Sequence, residues 1–256
     1  MGLVGIVLGV VLALNVLAFA IRGAPAADPW SESLMHCIAF GTAILVGLGA
    51  AGEGTVSGVL GLSRFRPRML LGLFPLAVGT SVVLSEVWNL VQERWPPSDA
   101  EVRWMVASLD PDLGTLLLVV LVAPVCEEML FRGLVLRRLA VRYGAFPAIA
   151  FTAVAFAAIH MNPARFPDVL FAGLGLGWIA RCSGSILPCI VVHGLHNAAP
   201  ILLSRRVVPI PGWNAVDRVL HGQADHVPLA VVLGAVGLTA MGALVVAATS
   251  APRVSA

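Results

Sequence analysis

The stretch Leu121-Val-Ala-Pro-Val-Cys-Glu-Glu-Met-Leu-Phe-Arg132 sets Glu127, Glu128 and Arg132 into an otherwise apolar segment. A charged side chain at the centre of a bilayer costs on the order of 2.5–3.5 kcal/mol on insertion scales, so three together need something to offset them. Further along, His160 closes Phe156-Ala-Ala-Ile-His160, and His193-Gly-Leu-His196-Asn197 brings two more imidazoles and an amide. Carboxylates and imidazoles withdrawn from water can move protons to and from a bound water, ligate a metal, or line a proton path.

Spacing separates the roles. Glu128 and Arg132 are four apart with the acid first, the favourable order for an ion pair on one helix face. Read blandly, they are a structural pair pinning helices together. One arginine cannot neutralise Glu127 as well, and Glu127 lies about 100° round the helix, free to face another neighbour. A carboxylate withdrawn from water holds a proton more readily, which suits a general base working near neutral pH. Pro124 cannot donate to the Val120 carbonyl, which loosens the helix one turn before the acids. His193 and Asn197 share a face one turn apart, and His196 competes with His193 for any role there. His160, just before Asn162-Pro163, has a helix-end histidine as its lesser alternative reading. Phe156 reads as packing. Gly173 and Gly177 form a small-xxx-small pattern suited to a close helix crossing.

Three motifs in order carry a resemblance: Glu127-Glu128-x-x-x-Arg132, Phe156-x-x-x-His160 and His193-x-x-x-Asn197, each in a hydrophobic helix. They resemble the CAAX protease and bacteriocin-processing (Abi, Rce1-like) family, with residues 113–203 as the catalytic core. Ser185-Ile-Leu-Pro-Cys-Ile-Val-Val-His193 and the segment 173–178 are similar to family members as well. The resemblance implies an eight-helix intramembrane endopeptidase of glutamate type. It implies that Glu127 acts with His160 to activate water, that His193 and Asn197 stabilise the oxyanion, and that Glu128 and Arg132 support the site. The implied substrate is a membrane-associated or lipid-modified peptide or protein; nothing in the sequence shows that it is prenylated. No cofactor is expected. The alternative is Zn²⁺ on Glu127, His160 and His193, although HExxH is absent. A transporter, or a non-catalytic immunity or scaffold protein, is the remaining class; polar groups confined to three spans and no evident repeat argue against transport.

The elements that must position these residues follow from composition. Of 256 residues 59% are hydrophobic and 12% charged, with a mean hydropathy of +0.93. A water-exposed surface of that kind would aggregate, so the excess faces lipid. The pattern predicts an all-α membrane bundle, a single domain over 1–256, with spans near 3–22, 34–52, 69–92, 113–136, 146–161, 168–181, 185–203 and 227–249. The apolar run Leu3 to Ile21 has no arginine before Arg22, which points to a retained first helix rather than a secretory signal. All sixteen basic residues are arginine, and the net charge of +2 gives no reason to expect a nucleic-acid partner. The clusters Arg64/Arg66/Arg68 and Arg137/Arg138/Arg142, against an acid-rich stretch over 93–112, favour both termini on the cytoplasmic side of a bacterial-type cell membrane. Cys37, Cys126, Cys182 and Cys189 show neither metal nor disulfide spacing and read as small hydrophobes. Glu86 is expected to be a helix-end acid, and His221 and His226 to sit in an outer loop without a role. The oligomeric state is not legible.

Overall fold

The computed structural model describes residues 2–22, 29–50, 54–203 and 207–250. These form ten helices of five or more residues, and none belongs to a strand. They are α1 (Gly2–Arg22), α2 (Pro29–Gly49), α3 (Val56–Leu60), α4 (Leu70–Gln92), α5 (Asp99–Ser108), α6 (Leu113–Tyr143), α7 (Ala145–Ile159), α8 (Phe166–Ser183), α9 (Leu187–Leu202) and α10 (Leu229–Thr249). A long helix lies over each of the eight apolar stretches. Among the described residues, three stretches are long and apolar enough to cross a bilayer by themselves: α4 with the turn before it, α6, and α10. At 1.5 Å per residue the 15 residues of α7 reach roughly 22 Å, short of a hydrocarbon core of about 30 Å. The loop expected over 93–112 contains α5, because Ser98 and Glu101 form a capping box.

The motif helix α6 is the hub. Phe131 on α6 meets Phe40 of α2 at 6.1 Å and Phe156 of α7 at 5.2 Å between ring centroids, in one buried apolar cluster. Glycines set how closely the partners approach. A Cβ on Gly173 of α8 would come within 3.0 Å of the Ala153 backbone, and one on Gly177 within 2.9 Å of Ile149, so α8 crosses α7 closely as the spacing suggested. A Cβ on Gly194 would meet the Val120 carbonyl at 2.6 Å, which packs α9 directly on the α6 backbone.

That backbone is not uniformly α-helical. Wide i→i+5 turns occupy Leu118–Val122 and Met129–Leu136, on either side of an ordinary turn, Ala123–Glu128. Such turns are rare and concentrate at functional sites. Pro124 supplies no N–H. In ordinary α geometry its missing bond would belong to Val120, as the sequence suggested; the wide turn shifts it to Val119. The Asn197 amide fills the gap, donating to the Val119 carbonyl at 3.0 Å.

At the other end of α4, the segment 207–228 folds back onto the bundle. Trp213 Nε1 donates to Ser81 Oγ at 3.0 Å, and Asn89 Nδ2 donates to the Gly212 carbonyl at 2.8 Å. Gly212 needs its positive φ of 69°, and a side chain there would run into Asn89. Glu86 accepts from the Val227 N–H and from His226 Nδ1, each at 2.9 Å. It ties down this segment rather than merely ending a helix.

Candidate active site

Glu128 and Arg132 sit one turn apart with side chains 0% exposed, Arg132 Nη1 donating to Glu128 Oε1 at 2.9 Å. An ion pair this deep is worth its desolvation only if further bonds satisfy the ions. Arg132 finds them on the neighbouring helices. Its Nη2 donates to the Gly173 carbonyl at 3.1 Å, and the guanidinium lies 4.6 Å from the Phe156 ring centroid. The charge is thereby spread over α6, α7 and α8.

Glu128 has a second partner that spacing alone did not reveal. His193 Nδ1 donates to the same Oε1 at 2.9 Å. That bond turns the opposite ring nitrogen, Nε2, toward Glu127 Oε2, 3.7 Å away. The imidazole therefore stands between the two neighbouring carboxylates, with 12% of its side chain exposed against 7% for Glu127. It is His193, not His196, that faces the acid pair. Gly194 makes this possible, because a larger residue would hold α9 off α6.

His160 caps the end of α7 and donates from Nδ1 to the Phe156 carbonyl at 2.8 Å. A carbonyl can only accept, so Nδ1 carries a proton. The next residue, Met161, takes a left-handed φ of 49°, unusual outside glycine. It turns the chain away as soon as His160 is in place. Asn162 then accepts from the Ala164 N–H at 3.0 Å and donates to Glu101 of α5 at 2.9 Å, which anchors the turn. Phe156, read from sequence as packing, is buried and stands edge-on to both imidazoles, 4.9 Å from His160 and 6.0 Å from His193. Asn197 spends one amide hydrogen on Val119 and keeps the other, since the group has two. Among the described residues, no three His, Cys, Asp or Glu side chains are grouped as a metal site.

Fold and site together define a helical membrane protein whose bundle encloses a carboxylate–imidazole cluster. Residues 110–199 match the family model described as type II CAAX prenyl endopeptidase Rce1-like. The matched stretch contains every motif residue from Glu127 to Asn197. Comparison with curated proteins and with solved structures returned no match.

Proposed function

We propose that this protein is an intramembrane endopeptidase that hydrolyses a peptide bond in a membrane-associated or lipid-modified substrate, with Glu127 as the base. The observation that carries the reading is His193 held between Glu127 and Glu128 inside an Rce1-like segment. A gap of 3.7 Å is too long for a direct hydrogen bond. A water admitted together with the substrate would bridge them, since Glu127 Oε2 is enclosed in the resting structure. Glu127 takes its proton as the oxygen attacks the scissile carbonyl, and the Nε2 lone pair of His160 assists.

Two carboxylates, Arg132 and His193 sum to zero charge when His193 is protonated on both nitrogens, the arrangement a dry site tolerates best. His193 Nε2–H and the second amide hydrogen of Asn197 then serve as donors to the developing oxyanion. Glu127 returns its proton to the leaving amine, which regenerates the base. Glu128 and Arg132 touch no reacting atom; they orient His193. All eight long helices embed in the bilayer, with both termini cytoplasmic.

The test uses the purified chain in lipid vesicles with a membrane-inserted reporter peptide. Cleavage should survive stripping with a strong chelator and vanish in Glu127→Gln, whose unfolding midpoint should stay near that of the parent. Activity lost on stripping and restored by stoichiometric Zn²⁺ would convert the mechanism to a metalloprotease. Normal turnover in Glu127→Gln would reject it.

A further inference from the structure

We infer that the cavity between α1 and the end of α6 binds the phosphate headgroup of an anionic phospholipid. The cavity measures about 320 Å³ and is lined by Leu3, Val4, Arg138, Leu139, Val141 and Arg142. Arg138 and Arg142 are one helical turn apart, so both guanidinium groups reach one face of α6. Guanidinium forks match phosphate oxygens bidentately and remain charged at any physiological pH. The rest of the lining is apolar, as acyl chains and a glycerol backbone require.

Three observations favour a lipid. First, the surroundings are apolar where they face outward: Val141 is 92% exposed and Phe146 83%. Tyr143, also exposed, lies beneath the Arg142 guanidinium at 5.5 Å. Aromatic rings and arginines at a helix end mark the headgroup level of a bilayer.

Second, this end of the bundle is strongly basic. Ser63 Oγ donates to the Gly184 carbonyl at 2.9 Å and Ile186 N–H to the Gly61 carbonyl at 3.1 Å, which joins the segments carrying Arg64, Arg66 and Arg68 to the ends of α8 and α9. Against these arginines the described connecting segments at this end, residues 54–68 and 184–186, contain no acid.

Third, neighbouring arginines are already engaged. Arg132 has Glu128 and Gly173, Arg66 donates to the Ser250 carbonyl at 3.3 Å, and Arg137 lies against Gly61. Among the described residues neither Arg138 nor Arg142 has a carboxylate partner; they are the pair turned to the cavity. Anionic lipids bind such basic pockets at helix ends.

The inference rests on the chain lying in a bilayer and not on its being a protease, so the two can fail separately. Purify the full chain and exchange it into phosphatidylglycerol or phosphatidylcholine. Count the lipids retained after delipidation by native mass spectrometry. The parent should retain phosphatidylglycerol in preference to phosphatidylcholine. Arg138→Gln/Arg142→Gln should retain about thirtyfold less, on the scale expected for two arginines at a membrane surface. Arg138→Lys/Arg142→Lys keeps the charge and should hold part of the binding, which controls for folding. Arg64→Gln/Arg68→Gln should leave retention unchanged. Equal retention of both lipids, or equal loss in the Arg64/Arg68 variant, would overturn the site. Inorganic phosphate displacing the lipid at millimolar concentration would assign it to a soluble anion instead.

Discussion

The molecule holds two clusters of the same composition, a histidine between two glutamates, in opposite settings. In the bundle, His193 meets Glu128 at 2.9 Å and Glu127 at 3.7 Å, with the three side chains at most 12% exposed. At the outer end, His226 meets Glu86 at 2.9 Å and Glu93 at 3.2 Å, with side chains between 18% and 49% exposed. The outer histidine makes two hydrogen bonds of ordinary length, and water screens the charges. The inner cluster needs Arg132 to balance its acids, and it leaves one imidazole–carboxylate distance too long for a direct bond. The residues are the same; burial and the longer imidazole–carboxylate distance separate the proposed active site from a latch on the 207–228 segment.

Replacing the two histidines alike is the sharpest way to break this comparison. His193→Gln should lower turnover by about a hundredfold or more, the usual scale for a positioned proton-transfer group. His226→Gln should leave turnover within about twofold and lower stability by less than about 1 kcal/mol. Equal losses of activity would show that the outer cluster belongs to the mechanism. Next in size are the two variants that strip the buried pair. Glu128→Gln and Arg132→Gln should each cost about 3–5 kcal/mol, because either leaves a charge without its partner in an apolar interior. Thermal unfolding in detergent measures this, and stability should fall before activity does. A variant that stays stable but inactive would move Glu128 into the chemistry itself.

A smaller effect tests the seam between α6 and α9. Asn197→Ala should cost about 1–3 kcal/mol by orphaning the Val119 carbonyl. Pro124→Ala restores an N–H at the position that should serve that carbonyl. The double variant should therefore recover about 0.5–1.5 kcal/mol relative to the sum of the singles. Simple additivity would mean that Asn197 does not substitute for the missing proline donor. The smallest effect is at Glu101. Partial burial alone would raise its pKa, but bonds from the Ser98 N–H and hydroxyl and from Asn162 prevail and hold it below its ordinary 4.5. Its contribution is thus complete above pH 4.5 and fades as the pH falls through the lower folded value. Glu101→Gln should flatten this acid limb of the unfolding curve, and an unchanged limb would discard the assignment.

The sequence was informative where one helix carried the information. Glu128 and Arg132 pair because their spacing on one helix demands it, and eight apolar runs sit under eight long helices because each is locally hydrophobic. What crosses between helices was hidden. Nothing in the pattern ties His193 to Glu128, since that bond depends on how closely Gly194 lets α9 approach. Phe156 is the core residue the sequence suggested, but its contacts with Arg132 and His193 come from other elements and were hidden for the same reason. Glu86 and His226, 140 residues apart, could not be joined by any local rule. One signal was available and passed over, the Ser98-x-x-Glu101 capping box that starts α5.

The wide turn over Met129–Leu136 also decides how this chain can change length. An i→i+5 turn holds a residue more than its α-helical counterpart. Deleting one residue there would let the helix close to ordinary geometry rather than break. Everything beyond would keep its phase, because the wide turn and the α turn that replaces it each complete one revolution. Glu127 and Glu128 would keep their places against α9, and Arg138 and Arg142 theirs beside α1. The turn is one residue of slack between the half of α6 that carries the candidate site and the half that carries Arg138 and Arg142. A single deletion inside it can therefore shorten the chain without disturbing either half, whereas the same deletion in the ordinary turn before it would rotate everything beyond by about 100°.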